Sequence, residues 1–293
     1  TLFESGESNG KVSITELFTT PQKLIETNEL NLEQIAFLIC RGGWPAAIDM
    51  SKEIALEQAF DYYDAVTKED ITRVDGVKRS SERAQRLMRS YARHQGTQAS
   101  IATIKEDLKN NDTSSLDENT INSYLNALRK IFVIEDMPAW NPNLRSKTAI
   151  RTADTRYFVD PSIATAALGL GPNDLLNDLN TMGFLFETLC VRDLRVYAES
   201  LNGKVYHYRD KNELECDTVI HLRDGRYGLI EIKLGGESLI NEGAKTLNQL
   251  ETLIDTNRMK APSFKMVLTA TGQHAYRRAN DGIYVVPIGC LKP

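Results

Sequence analysis

Four side chains in the second half of the chain, Glu187, Asp217, Glu231 and Lys233, are of types that together can hydrolyse a phosphodiester. Glu231 and Lys233 stand two apart in "YGLIEIKLG", a run that reads as a strand, so their side chains share one face while Ile230 and Ile232 take the other. Taken alone, that spacing is also what any strand with one wet face displays. Asp217 lies in the preceding strand-like run, "ECDTVIHL". Asp217 and Glu231 offer hard oxygen ligands suited to Mg²⁺ or Mn²⁺. Such a metal acidifies a bound water and stabilises charge developing on phosphorus, and a fixed ammonium such as that of Lys233 adds to that stabilisation.

Register decides whether the two acids meet, because a one-residue slip sends Asp217 to the opposite surface. A two-residue turn at Asp224-Gly225 pairs Asp217 with Ile232 and dissolves the site. A three-residue loop, Arg223-Asp224-Gly225 with Gly225 left-handed, pairs it with Glu231. The hydrolytic reading therefore predicts an odd-length loop. Glu187 falls on a helical arc with Phe184, Val191, Leu194 and Ala198; a carboxylate on a buried stripe needs a partner, either a salt bridge or a metal. Here it would hold a second metal or a water on the first. His221 shares the Asp217 face if alternation is strict, but a hard metal prefers oxygen, so His221 and His207 are read as ordinary sheet residues.

The elements that must position these groups follow from the patterning. From about residue 152, "RYFVDPSIATAALGLG" reads as a short strand and a helix, and "GFLFETLCVRDLRVYAES" as a strong helix. "KVYHYRD", "ECDTVIHL" and "YGLIEIKLG" follow as strands, "INEGAKTLNQLETLIDTNRMK" as a helix, and "FKMVLTA" and "GIYVVPI" as strands. The helical crossover predicts that the "FKMVLTA" strand lies parallel beside "YGLIEIKLG". Upstream, the first twenty residues hold a Gly/Ser/Asn turn and a short helix. Leu24 to Ile71 reads as helical, broken at Gly42-Gly43 and a Trp44-Pro45 corner in which Trp44 anchors packing. Residues 81–140 read as three helices and a hairpin, with Ser80-Ser81 and Asp117 as N-caps and an apolar stripe at Ile121, Tyr124, Leu125, Leu128 and Ile131 or Phe132. That order is the arrangement of a winged helix-turn-helix. Its third helix turns outward Asn119, Asn122, Ser123, Asn126, Arg129 and Lys130, types that bond phosphates and base edges. Asn122, Asn126, Arg129 and Lys130 are the candidate nucleic-acid contacts; a protein-docking role is the alternative. The fold class is thus α+β and multidomain: a helical segment over 1–75, a winged-helix-like domain over 76–150 and an α/β domain over 151–293.

With 293 residues, 41% hydrophobic and 26% charged, the chain has the composition of an ordinary globular protein. No apolar run is long enough to span a bilayer, and no signal-peptide pattern opens the chain. It begins with Thr, which is read as a fragment or a processed product. A net charge of −5 gives no bulk attraction to DNA, so nucleic-acid contact would need a local basic groove. The four scattered cysteines, Cys40, Cys190, Cys216 and Cys290, form no C-x-x-C pair and read as reduced thiols in a cytoplasm.

Glu187, Asp217 and Glu231-Ile232-Lys233, in helix-strand-strand-strand-helix-strand order, resemble the PD-(D/E)XK nuclease superfamily. The departure is Cys216 where many members have Pro. The resemblance implies a restriction-endonuclease-like fold for the C-terminal domain, metal ligation by Asp217, Glu231 and Glu187, and an auxiliary role for Gln249 on the next helix. The wider chain resembles bacterial and archaeal AAA-type ATPases that carry such a C-terminal domain of unknown function, on "LFESGESNGKVSITELF", "RGGWPAAI", "YFVDPSIATAALG" and "GFLFETLCVRDLRVYA…GLIEIKLG". No G-x-x-x-x-G-K-[ST] loop is present to cradle a phosphate, so this chain carries no ATP site. The resemblance implies an ATPase module upstream of this chain, a Mg²⁺- or Mn²⁺-dependent nuclease acting on DNA or RNA, and an assembly that could be homo-oligomeric. The alternatives are a catalytically silent DNA- or protein-binding platform coupled to the motor, and a purely structural oligomerisation domain.

Overall fold

The computed structural model describes residues 1–20, 25–109, 117–141 and 153–293. The start of the expected helical run at Leu24, the end of the helix read from "SIATIKEDLKNN", and the boundaries near residues 150 to 152 lie outside these residues. The fold is mixed α+β, with helices dominating the N-terminal part and a mixed sheet the C-terminal part. Two compact units divide it: Thr1–Ile35, Met137–Thr152 and Leu189–Pro293 form one, and Ala36–Asp136 with Ala153–Thr188 form the other.

The first unit holds a seven-stranded sheet in the order β2-β7-β8-β6-β5-β4-β3. Its strands are β2 (Ile25–Thr27), β3 (Gly203–Arg209), β4 (Glu215–Leu222), β5 (Tyr227–Lys233), β6 (Phe264–Thr269), β7 (His274–Arg277) and β8 (Tyr284–Pro287). The helix Glu237–Leu253 carries the chain from β5 to β6, and the two strands are parallel, as the crossover predicts. Ala244, Leu247, Leu250 and Ile254 of this helix and its C-terminal turn pack over Val219, Tyr227, Leu229 and Val267. Residues 25–27, where the patterning predicts helix, form the edge strand β2 instead. Its three residues, Ile-Glu-Thr, gain their conformation from pairing with β7, a non-local partner that local patterning does not reveal. β7 was likewise not anticipated, because four residues are too few to show a period. A second, two-stranded sheet pairs β1 (Val12–Ser13) with β9 (Leu291–Lys292).

The second unit is helical. It includes the helices Ser81–Arg93, Ile101–Lys109 and Glu118–Lys130, the first and third of which start where the capping residues indicate: the Arg83 N–H donates to Ser80 Oγ (3.3 Å) and the Thr120 N–H to Asp117 Oδ1 (2.7 Å). Residues 132–140, expected as a strand leading into a wing, form no strand; Ile134 makes an isolated antiparallel bridge to Phe158. Ile121, Tyr124, Leu125 and Leu128 are buried as the stripe requires, but Phe132 is not part of it: it is 78% exposed. The helix ends at Lys130, so Phe132 no longer follows the helical period.

Trp44 does anchor a corner, and its partner is the other segment singled out by sequence, "DPS". The Gly43 N–H donates to Asp160 Oδ2 (2.9 Å) and the Trp44 indole N–H to Ser162 Oγ (2.9 Å), while Trp44 lies against Tyr62 with ring centroids 4.5 Å apart. Asp160 also caps the helix Pro161–Leu168 through the Ser162 N–H (2.9 Å). Gly42 has φ +75°, and a Cβ there would stand 2.4 Å from Ser162 Oγ and 2.5 Å from Asp160 Oδ1. Gly42→Ala is therefore expected to destabilise the protein by about 2–4 kcal/mol, read as a lower urea midpoint, through combined backbone strain and overpacking.

Candidate functional site

The β4–β5 connection is the odd-length one. β4 and β5 pair antiparallel with Thr218 opposite Ile230, Val219 opposite Leu229 and His221 opposite Tyr227. The Leu222 N–H donates to the Arg226 carbonyl (2.8 Å) and the Gly225 N–H to the Leu222 carbonyl (3.0 Å), enclosing Arg223-Asp224-Gly225 with Gly225 at φ +88°. Only glycine enters that region without strain. The same register sets Asp217 opposite Glu231.

At that level the ladder gives way to side chains. The Ile232 N–H donates to Asp217 Oδ2 (2.7 Å), and the Asp217 N–H points at Glu231 Oε1 (3.4 Å). Lys233 Nζ stands 2.9 Å from Glu231 Oε2 and 3.6 Å from Asp217 Oδ2. Two carboxylates and one ammonium thus converge on one face of the sheet. Glu231 is 3% exposed, and the helix Glu237–Leu253 lies close over it: a Cβ on Gly243 would be 3.1 Å from Glu231 Cβ. Burial first, and then the neighbouring Asp217 carboxylate, push the Glu231 carboxyl up to about 8, with Lys233 pulling the other way. Cys216, which replaces the expected Pro, is fully buried and directs its thiol at the Ile230 and Thr218 carbonyls (3.4 and 3.5 Å). Burial, followed by the charges of Glu231 and Asp217, holds that thiol well above its ordinary range. All four cysteines are free and buried.

The other candidates have their own surroundings. Glu187, on the helix Leu179–Ser200, belongs to the second unit, where the Tyr157 hydroxyl donates to its carboxylate and Gly96 packs against it, a Cβ there lying 3.1 Å from either oxygen. The arc assigned to it is not uniformly buried, since Phe184 is exposed. Gln249 is on the outer face of the helix Glu237–Leu253, in a groove with Asn241, Lys245, Asn248 and Arg278. Six residues beyond Gly243, it is about 9 Å farther along and roughly 240° around the helix, away from Glu231. His221 accepts a hydrogen bond at Nδ1 from the Trp140 indole (3.0 Å), and its burial lowers its proton affinity. His207 pairs through its backbone, its N–H donating to the Pro138 carbonyl (3.1 Å) while its carbonyl accepts from the Trp140 N–H (2.6 Å). Of the candidate nucleic-acid contacts, Asn122, Asn126 and Lys130 are exposed, whereas Arg129 is drawn into an ion pair with Asp136 (2.6 Å) that Arg156 shares (2.7 Å).

Trp140 contributes to this sheet, which its sequence context does not indicate. A Trp-bearing segment read as the approach to a wing instead lies along β3, with Ala139 bridged to His207 in parallel. β3 is the edge strand of the sheet, so its outer backbone groups are free to pair with this segment, a partner that local patterning does not reveal.

Two carboxylates of hard oxygens, one of them buried and both sharing a single ammonium, suit a small divalent cation. Among the described residues no group of three or more His, Cys, Asp and Glu side chains is arranged to hold a metal ion, so the side chains converging here supply two such ligands. Among those residues, too, no helix is long and apolar enough to cross a membrane.

The fold and site define a mixed-sheet α+β domain joined to a helical one. Two family models match the chain: residues 32–174 match a domain of unknown function, DUF8612, and residues 182–291 match a second, DUF4143. The latter is a domain often found at the C-terminus of AAA-type ATPases. No curated protein and no solved structure matches the chain.

Proposed function

We propose that this chain is the C-terminal part of an AAA-type ATPase and that its sheet domain is a PD-(D/E)XK-like nuclease, which cleaves a phosphodiester of DNA or RNA with Mg²⁺ or Mn²⁺. The observation that carries the proposal is the convergence of Asp217, Glu231 and Lys233 across β4 and β5, set by the three-residue loop. The DUF4143 match supports the placement beside an ATPase. The order of the helices Ser81–Arg93, Ile101–Lys109 and Glu118–Lys130 supports a winged-helix-like, nucleic-acid-contacting module.

In this reading Asp217 and Glu231 would hold the metal, which would supply Lewis-acid stabilisation and an acidified water. The protein's own groups then have defined tasks. The Ile232 N–H orients Asp217 by donating a hydrogen bond to its Oδ2 (2.7 Å). Lys233 supplies a fixed positive charge beside both acids, placed to bind a non-bridging phosphate oxygen and offset the charge that grows there. The helix above Glu231 excludes water from one side, which strengthens each of these interactions.

A second reading is favoured by one specific contact. Lys233 already forms an ion pair with Glu231 at 2.9 Å, a self-contained arrangement that a catalytically silent DNA- or protein-binding platform would also display. Plasmid and single-stranded RNA substrates incubated with Mn²⁺ separate the two. The parent chain is expected to cleave one of them, and Asp217→Ala to lose at least about a hundredfold. Equal rates for the two proteins would end the nuclease proposal.

A further inference from the structure

Phe132 occupies a conformation that works against the fold and offers nothing to it in return. It follows the helix Glu118–Lys130 with φ +56°, in the left-handed region. The Val133 N–H reaches back to the Leu128 carbonyl (2.9 Å) and the Phe132 N–H to the Arg129 carbonyl (3.1 Å). This is the helix-ending geometry in which the left-handed position ordinarily holds glycine, and a bulky residue there is strained. The apolar contact that usually closes such an ending is available to Val133 and Leu128, both fully buried. The ring of Phe132 is 78% exposed, so burial does not offset the strain. A strained, exposed aromatic side chain points to a partner outside the protein.

The surroundings identify the kind of partner. Asn122, Asn126 and Lys130 stand exposed one turn apart along the same helix, and Lys130 is two residues from Phe132. Lys130 has no ion pair among the described residues, and two acids on neighbouring segments are already compensated. Asp75 holds Arg79 through two hydrogen bonds (2.7 and 2.9 Å), and Asp136 is shared by Arg129 and Arg156. The patch therefore presents a cation for a phosphate, amides for base edges and a ring for the face of a base. A base face is accessible only where the base is unpaired or unstacked. We infer that Phe132 is a stacking residue for single-stranded nucleic acid, with Asn122, Asn126 and Lys130 along the strand. This rests on the nucleic-acid part of the function proposed above and names the form of the polymer.

The test is fluorescence anisotropy of a labelled oligothymidine with the 293-residue chain at low salt in EDTA, where binding is read without cleavage. Phe132→Gly is expected to weaken binding about tenfold or more, the loss of one base–aromatic stack. The same variant is expected to raise the thermal midpoint, because glycine relieves the strain. Phe132→Trp should keep the affinity. Unchanged affinity in Phe132→Gly, no binding by the parent chain, or equal affinity for duplex and single strand would overturn the inference; the second outcome would leave the ring to a protein partner. A chain that cleaves with Mn²⁺ but binds equally well as Phe132→Gly would lose this inference alone.

Discussion

Lys233→Met is expected to reduce Mn²⁺-dependent cleavage by about a hundredfold to a thousandfold, the usual effect of removing one preorganised electrostatic group. The ammonium lies 2.9 Å from Glu231 and 3.6 Å from Asp217, so its loss also leaves two acids facing each other with no internal cation. The Glu231 carboxyl, already held high by burial and Asp217, would hold its proton more tightly still. Two consequences separate a role in phosphate chemistry from one in ion pairing. Lys233→Arg retains the charge and should recover part of the rate, though its planar fork places the charge differently. A lysine that only neutralises Glu231 would, when replaced by Met, lower stability while leaving the rate per folded molecule unchanged. Single-turnover rates normalised to the folded fraction decide between these outcomes.

Glu231→Gln is expected to remove a pH dependence of stability that the parent chain shows when no divalent cation is present. The folded-state value of about 8 lies above the ordinary 4.5, so between them the native protein keeps a proton that the unfolded chain has released. Stability falls with pH wherever the native state binds more protons. The contribution is complete below about 4.5 and is lost as pH rises through about 8. From pH 5 to pH 9 the parent should therefore lose about 2–5 kcal/mol relative to Glu231→Gln, the upper figure being the full linkage for a buried group. Urea melts of both proteins across that range measure it. Millimolar Mg²⁺ should restore the parent at high pH, because a cation binding the ionised site stabilises the native state by mass action, and should leave Glu231→Gln unmoved. Parallel pH curves for the two proteins, or Mg²⁺ acting equally on both, would remove the buried acid from the proposal.

Much of the sheet domain was legible because its periods are strong and local. The two-residue alternation of "YGLIEIK" places Glu231 and Lys233 on one face wherever that strand lies, and a long amphipathic helix between two such strands demands a parallel crossover. Asp117 and Ser80 were recognisable as caps because their side chains meet N–H groups three residues away. The meeting of Asp217 with Glu231 was legible only as a condition on loop length. "RDG" is compatible with either register, and the hydrogen bonds that enclose Arg223 to Gly225 selected one.

What the amino-acid order determined by itself, then, is the local inventory: which runs become strands and helices, where helices start, and which chemical groups share a face. Tertiary structure decided the rest, because it depends on partners far away in sequence. β2 is a strand through pairing with β7, and Trp140 lies on the sheet through backbone hydrogen bonds to the edge strand β3. Glu187 is bound by Tyr157, and Gln249 looks outward because Gly243 is the residue that meets Glu231. The elevated proton affinity of Glu231 is of the same kind. A carboxylate carries no such property in the unfolded chain; it arises where a helix removes the water and the opposing strand brings a second negative charge.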